Sequence, residues 1–128
     1  MEDIFNQPTE MVQIRDVSRQ QREIQRAAQL LKAGELVAFP TETVYGIGAL
    51  GLNVEAVERL YAAKNRPAGK AFSLQVANVN LIQQIAAYVP PMARKLLEKF
   101  APGPITVVLP KNAQVPDLVT GGRDTVGI

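Results

Sequence analysis

Hydrophobic positions along the chain alternate between two spacings, and each change of spacing marks an element. Val12-Gln13-Ile14-Arg15 alternates apolar with polar and predicts a short strand. Ile24, Ala27, Ala28 and Leu31 then recur at helical spacing, predicting an amphipathic helix over 19–33. Ser18 is its expected N-cap and Gly34 its terminator. Leu36-Val37-Ala38-Phe39 is a continuous apolar run bounded by Pro40 and reads as a buried strand. Three glycines between Thr41 and Leu52 predict a sharply bent loop. Asn53 should cap a helix over 54–64 with Val57, Leu60 and Tyr61 inward.

Pro67 and Gly69 predict a turn, and Phe72-Ser73-Leu74-Gln75-Val76 alternates as a strand. Two helices are expected near 79–87 and 91–100, separated by Pro90-Pro91. Ile105 to Leu109 reads as a further buried strand, Pro110 to Arg123 as a turn-rich excursion, and Thr125 to Ile128 as the start of another strand. Strands alternating with helices predict an α/β sheet packed with helices. Residues 1–10 read as a flexible tail and 11–128 as one domain. A strand reaching the last residue leads us to expect a domain that is C-terminally incomplete.

Composition narrows the chemistry. Of 128 residues 47% are apolar, enough for a packed core. No apolar run approaches the roughly 20 residues of a membrane span, so no membrane association is expected. The absence of Cys and His rules out disulfides, thiolate nucleophiles, Ser-His triads and the usual zinc sites. Any metal must be held by oxygen, which favours magnesium carried in by a phosphate ligand. The net charge of +2 is too small to mark a nucleic-acid binder. Arg59, Lys64, Arg66 and Lys70, with no acid between them, form either a solvated helix end or an anion site.

Four segments carry candidate chemistry. Phe39-Pro40-Thr41-Glu42-Thr43-Val44-Tyr45-Gly46-Ile47-Gly48 follows a strand, where ligands of open α/β sheets bind, and presents hydroxyls on a glycine-bent loop. It also reads as an ordinary turn capped by its threonines. Lys64 and Arg66 lie where Pro67 breaks a helix, and only that break allows residues two apart to converge. Arg offers a planar fork for phosphate and Lys a point charge, while Lys70 lies on the next turn. Pro102-Gly103-Pro104-Ile105-Thr106 and Gly121-Gly122-Arg123-Asp124-Thr125-Val126-Gly127-Ile128 each read singly as loop-to-strand entries.

Taken in order and spacing, these segments resemble the YrdC-type threonylcarbamoyl-adenylate synthase family, from about residue 20 to the end. The resemblance implies a twisted, open mixed sheet with helices packed on it around a deep positive cavity. It implies formation of threonylcarbamoyl-AMP and pyrophosphate from L-threonine, bicarbonate and ATP, with Mg2+ carried on the nucleotide. A tRNA-modifying transferase complex would then pass the group to an adenosine of tRNA, in the cytoplasm, with RNA as a further partner. By match to the motifs, Lys64 and Arg66 are the catalytic Lys-x-Arg pair at the phosphates. Thr43 and Gln75 contact L-threonine, and Arg66, Lys70 and Thr125 contact ATP. No protein-held metal site is implied. Gln75 stands where many members carry His but can still hydrogen-bond. The family's later Ser-x-Asn motif occurs nowhere in the chain. The competing expectations are a hydrogenase-maturation type of carbamoyl-adenylate module, a non-catalytic RNA- or nucleotide-binding module, and an inactive fragment.

Overall fold

A computed structural model describes residues 8–128. The expected tail over 1–10 falls mostly outside that range, and residues 8–10 are exposed without regular structure. The chain divides into two compact units, Met1–Arg66 and Pro67–Ile128.

In the first unit, Val12 to Arg15 is not a strand. The Gln20 side chain takes the backbone groups a neighbouring strand would have paired. Its amide donates to Gln13 O at 2.9 Å, and its Oε1 accepts the Arg15 N–H at 2.7 Å. Ser18 likewise does not cap the helix. Its hydroxyl donates to Asp16 Oδ1 at 2.6 Å, closing a local turn of the kind these side chains favour. Helix α1 therefore starts later, at Gln21–Lys32. Ile24, Ala27 and Leu31 are half-buried as expected, whereas Ala28 is exposed. Gly34, at φ of 87°, ends α1. Its N–H donates to Leu31 O and that of Glu35 to Leu30 O, both at 3.0 Å, the pattern of a Schellman motif.

β1 (Val37–Phe39) pairs antiparallel with β2 (Gly46–Gly48), in the register Val37–Gly48, Ala38–Ile47 and Phe39–Gly46. The region expected to be all loop thus contains the second arm of a hairpin. The glycines are required by the ring of Phe39. A Cβ at Gly48 would lie 2.9 Å from Phe39 Cε1, and one at Gly46 would lie 3.3 Å from the same ring. α2 (Val54–Lys64) matches its expected bounds, and Asn53 Oδ1 accepts the Ala56 N–H at 3.1 Å. Ala56, Val57, Leu60 and Tyr61 on α2 are the buried residues that form this unit's core. Arg59 Nη1 donates to Gly34 O at 3.2 Å and meets Glu35 at 3.4 Å, tying α2 to the end of α1.

The second unit is built on an alternating pattern that holds across three extended segments. β3 (Val108–Pro110) pairs antiparallel with β4 (Thr125–Gly127), and the ladder continues as Val107 and Ile128 exchange both N–H···O bonds at 2.9 Å. On the other side of β4, the Leu74 N–H donates to Gly127 O at 2.8 Å, and the Phe72 N–H donates to Val119 O at 2.8 Å. Residues 72–76 thus meet β4 through the Leu74 bond and α4 through the Phe72 bond, without forming a regular strand. One face of the three segments carries Val107, Leu109, Val126 and Ile128, all buried, with Phe72, Leu74 and Val76 half-buried. The helix expected near 79–87 is a 3-10 helix, Val79–Gln84. It ends early because residues 85–87 bond to the chain near Lys111 instead. Ala87 N–H donates to Pro110 O, and Asn112 N–H to Ile85 O, both at 2.8 Å. α3 (Pro91–Phe100) buries Ala93 and Leu97, and the turn-rich excursion contains the short α4 (Asp117–Thr120).

Candidate functional site

The first unit carries Thr43, Lys64 and Arg66. The loop joining β1 to β2 is stitched by Thr41, whose hydroxyl donates to Val44 O and whose Oγ1 accepts the Thr43 N–H at 3.3 Å. The two hydroxyl oxygens lie 3.3 Å apart. Because the single Thr41 proton is directed to Val44, Thr43 is the donor between them. Its lone pairs remain available to an outside donor such as an ammonium or hydroxyl. Glu42, Thr43 and Tyr45 are all exposed on this loop.

Lys64 is the last residue of α2, and Asn65 follows it in the left-handed region at φ of 46°. Asn65 N–H donates to Ala62 O at 3.1 Å and Arg66 N–H to Tyr61 O at 3.0 Å, a second Schellman closure. The chain therefore leaves the helix between the two cations. That removes the regular helical geometry under which residues two apart point away from each other. Lys64 is exposed and Arg66 half-buried.

The second unit carries Lys70, Gln75 and Thr125. Lys70 N–H closes a turn onto Pro67 O at 3.0 Å. Arg123 anchors that turn, with Nη1 donating to Gly69 O at 3.4 Å and Thr120 O at 3.3 Å. Gly121, at φ of 60°, permits the approach, since a Cβ there would lie 2.7 Å from Gly69 O. Gln75 and Thr125 are both exposed. Alternation places them on the same face of the three-segment ladder, opposite the buried one, together with Ser73, Thr106, Val108 and Gly127. Ser73 is not among the residues expected at the site, although the period-two pattern of 72–76 puts it on the Gln75 face.

A depression in this unit lies elsewhere. Val79, Ile82, Gln83, Arg94, Leu97 and Glu98 line it, between the 3-10 helix and α3. None of the candidate residues belongs to it. Among the described residues there is no group of three or more Asp, Glu, His or Cys able to hold a metal, and no helix is long and apolar enough to cross a membrane. Asp16, not among the candidates, is held below the usual carboxylate range by its hydrogen bond from the Ser18 hydroxyl.

A family model covering Sua5, YciO and YrdC proteins, described as telomere recombination, matches residues 29–128. Among curated proteins, the chain is 46% identical over 105 residues to a threonylcarbamoyl-AMP synthase of Pyrococcus abyssi, covering 82% of this chain and 31% of that protein. It is 39% identical over 114 residues to the Bacillus subtilis protein of the same name, covering 88% and 33%. The chain thus spans about a third of the length of these relatives. Among solved structures, it superposes on P. abyssi Sua5 complexed with L-threonine with a TM-score of 0.82 at 44% identity, covering 84% of this chain and 32% of that one. E. coli YciO follows with a TM-score of 0.72 at 27% identity, covering 84% and 52%. With the family model matching well over half of its residues, the chain belongs to the Sua5/YciO/YrdC family.

Proposed function

We propose that the chain supplies threonine- and nucleotide-binding segments of an L-threonylcarbamoyladenylate synthase, a nucleotidyltransferase acting in tRNA threonylcarbamoyladenosine formation. The observation that carries this reading is the 46% identity over 105 residues to a threonylcarbamoyl-AMP synthase, a stretch long enough to include the ordered motifs. In the reaction, the threonine amine nitrogen attacks the carbon of bicarbonate, a C–O bond breaks and water leaves, giving a carbamate. A carbamate oxygen attacks the α-phosphorus of ATP, the bond to the bridging oxygen breaks, and pyrophosphate leaves with that electron pair. Two anions must therefore meet, and preorganised cations offset their repulsion. Lys64 and Arg66 serve that role at the phosphates, Arg66 as a fork and Lys64 as a point charge. Lys70 and Thr125 bind the nucleotide, and Thr43 and Gln75 bind the amino acid. The lone pairs left on Thr43 suit the threonine ammonium.

Mg2+ would enter as an ion borne by the nucleotide. The described residues provide no carboxylate cage, and Mg2+ is commonly held by substrate phosphates and water. When bound it neutralises phosphate charge. The product would pass to a tRNA-modifying transferase complex in the cytoplasm.

The test is pyrophosphate release from ATP. We expect release that requires both L-threonine and bicarbonate, and release indifferent to threonine would refute the reading. Arg66→Ala should weaken ATP binding by roughly tenfold or more, as expected for losing a charge-assisted fork, with the circular-dichroism spectrum unchanged. Unaltered affinity by calorimetry would remove Arg66 from the site.

A further inference from the structure

Gly127 sits in β4 between two hydroxyl-bearing residues from different segments. A Cβ built on it would lie 2.8 Å from Ser73 Oγ and 3.3 Å from Thr106 Cγ2. Only glycine fits at this position, because the Ser73 side chain stands directly over the strand there, beside the Thr106 methyl. Ser73 is exposed, and its side chain makes no hydrogen bond to another described residue; the same holds for Gln75 and Thr125. Thr120, in the same unit, is buried and spends its hydroxyl on Asp117 O at 3.2 Å. The hydroxyls of this unit thus divide into one that serves the fold and others held on the open face without a structural task.

Ser73 also lies between two assigned positions. It is three residues after Lys70, proposed for the nucleotide, and two before Gln75, proposed for the amino acid. Gln75 shares its face by alternation, and Thr125, also proposed for the nucleotide, is two residues before Gly127 on that face. We propose that Ser73 is an additional ligand-binding residue of the same site. Its hydroxyl donates to the anionic oxygens where the nucleotide phosphate and the threonine carbamate meet, and Gly127 makes room for the Ser73 side chain over β4. This rests on the function proposed above.

The test uses the 128-residue chain, with calorimetric affinity for α,β-methylene-ATP measured in the presence of L-threonine and bicarbonate. This analogue cannot release pyrophosphate. Ser73→Ala is expected to bind it about tenfold more weakly, the loss typical of one hydrogen bond to a charged group. The melting temperature of the unliganded chain should not move, which separates ligand contact from a structural role. Gly127→Ala, by pushing the Ser73 hydroxyl aside, should weaken the analogue at least as much. Wild-type affinity in Ser73→Ala overturns the role of Ser73 and leaves the functional reading intact. Failure of the wild-type chain to bind the analogue at all overturns both.

Discussion

Phe39 shows how one residue shapes the edge of the candidate loop. Its ring covers Gly46 directly across the hairpin and Gly48 on the diagonal, so the two glycines are a packing requirement of the strand pair. Gly48→Ala would force the ring aside at a contact of 2.9 Å. The expected loss is about 1 kcal/mol or more, as for other overpacked sites, read from urea unfolding. In a Phe39→Leu background the same change should cost clearly less, because the two residues are coupled. Equal costs in the two backgrounds would mean that the ring is not what excludes a side chain there. At this scale the sequence was informative but easy to misread. The glycines between Thr41 and Leu52 suggested a bend, whereas two of them lie in a strand under an aromatic ring. Ser73 was equally visible in the alternation of 72–76, but nothing in the linear sequence shows that Gly127 lies beside it.

Among elements, those with strong local signals were legible in detail. Asn53 before an apolar helical repeat gave both the start and the span of α2. Replacing Asn53 with Ala should lower stability by about 1 kcal/mol, the usual value of an N-cap, with a matching fall in the urea midpoint. A change within error would mean that the Asn53 side chain contributes nothing to the helix start. Gly34 likewise marked the end of α1. Elements decided by non-local bonds were not legible. Val12 to Arg15 alternates like a strand, but the Gln20 side chain captures its backbone groups. The helix expected to reach residue 87 stops at Gln84 because residues 85–87 find partners near Lys111. Both outcomes depend on residues brought close only by folding.

For the whole molecule, the α/β class followed from alternating spacings, while the candidate site followed from motif order. The candidate residues divide between the two units, with Thr43, Lys64 and Arg66 in one and Lys70, Gln75 and Thr125 in the other. Within each unit the fold accounts for their presentation. A left-handed turn at Asn65 separates two cations, and a ladder with one buried face turns Gln75 and Thr125 outward. Periodicity alone would have revealed the open face of that ladder, but not its neighbours across β4. Under the proposed function, the candidate residues of each unit bind ligand. Amide NMR on the labelled 128-residue chain, titrated with L-threonine and α,β-methylene-ATP, tests it most directly. We expect saturable shifts concentrated at residues 41–46, 64–66, 70–75 and 125–127. Shifts confined to the depression around Ile82 and Arg94, or none at all, would contradict it.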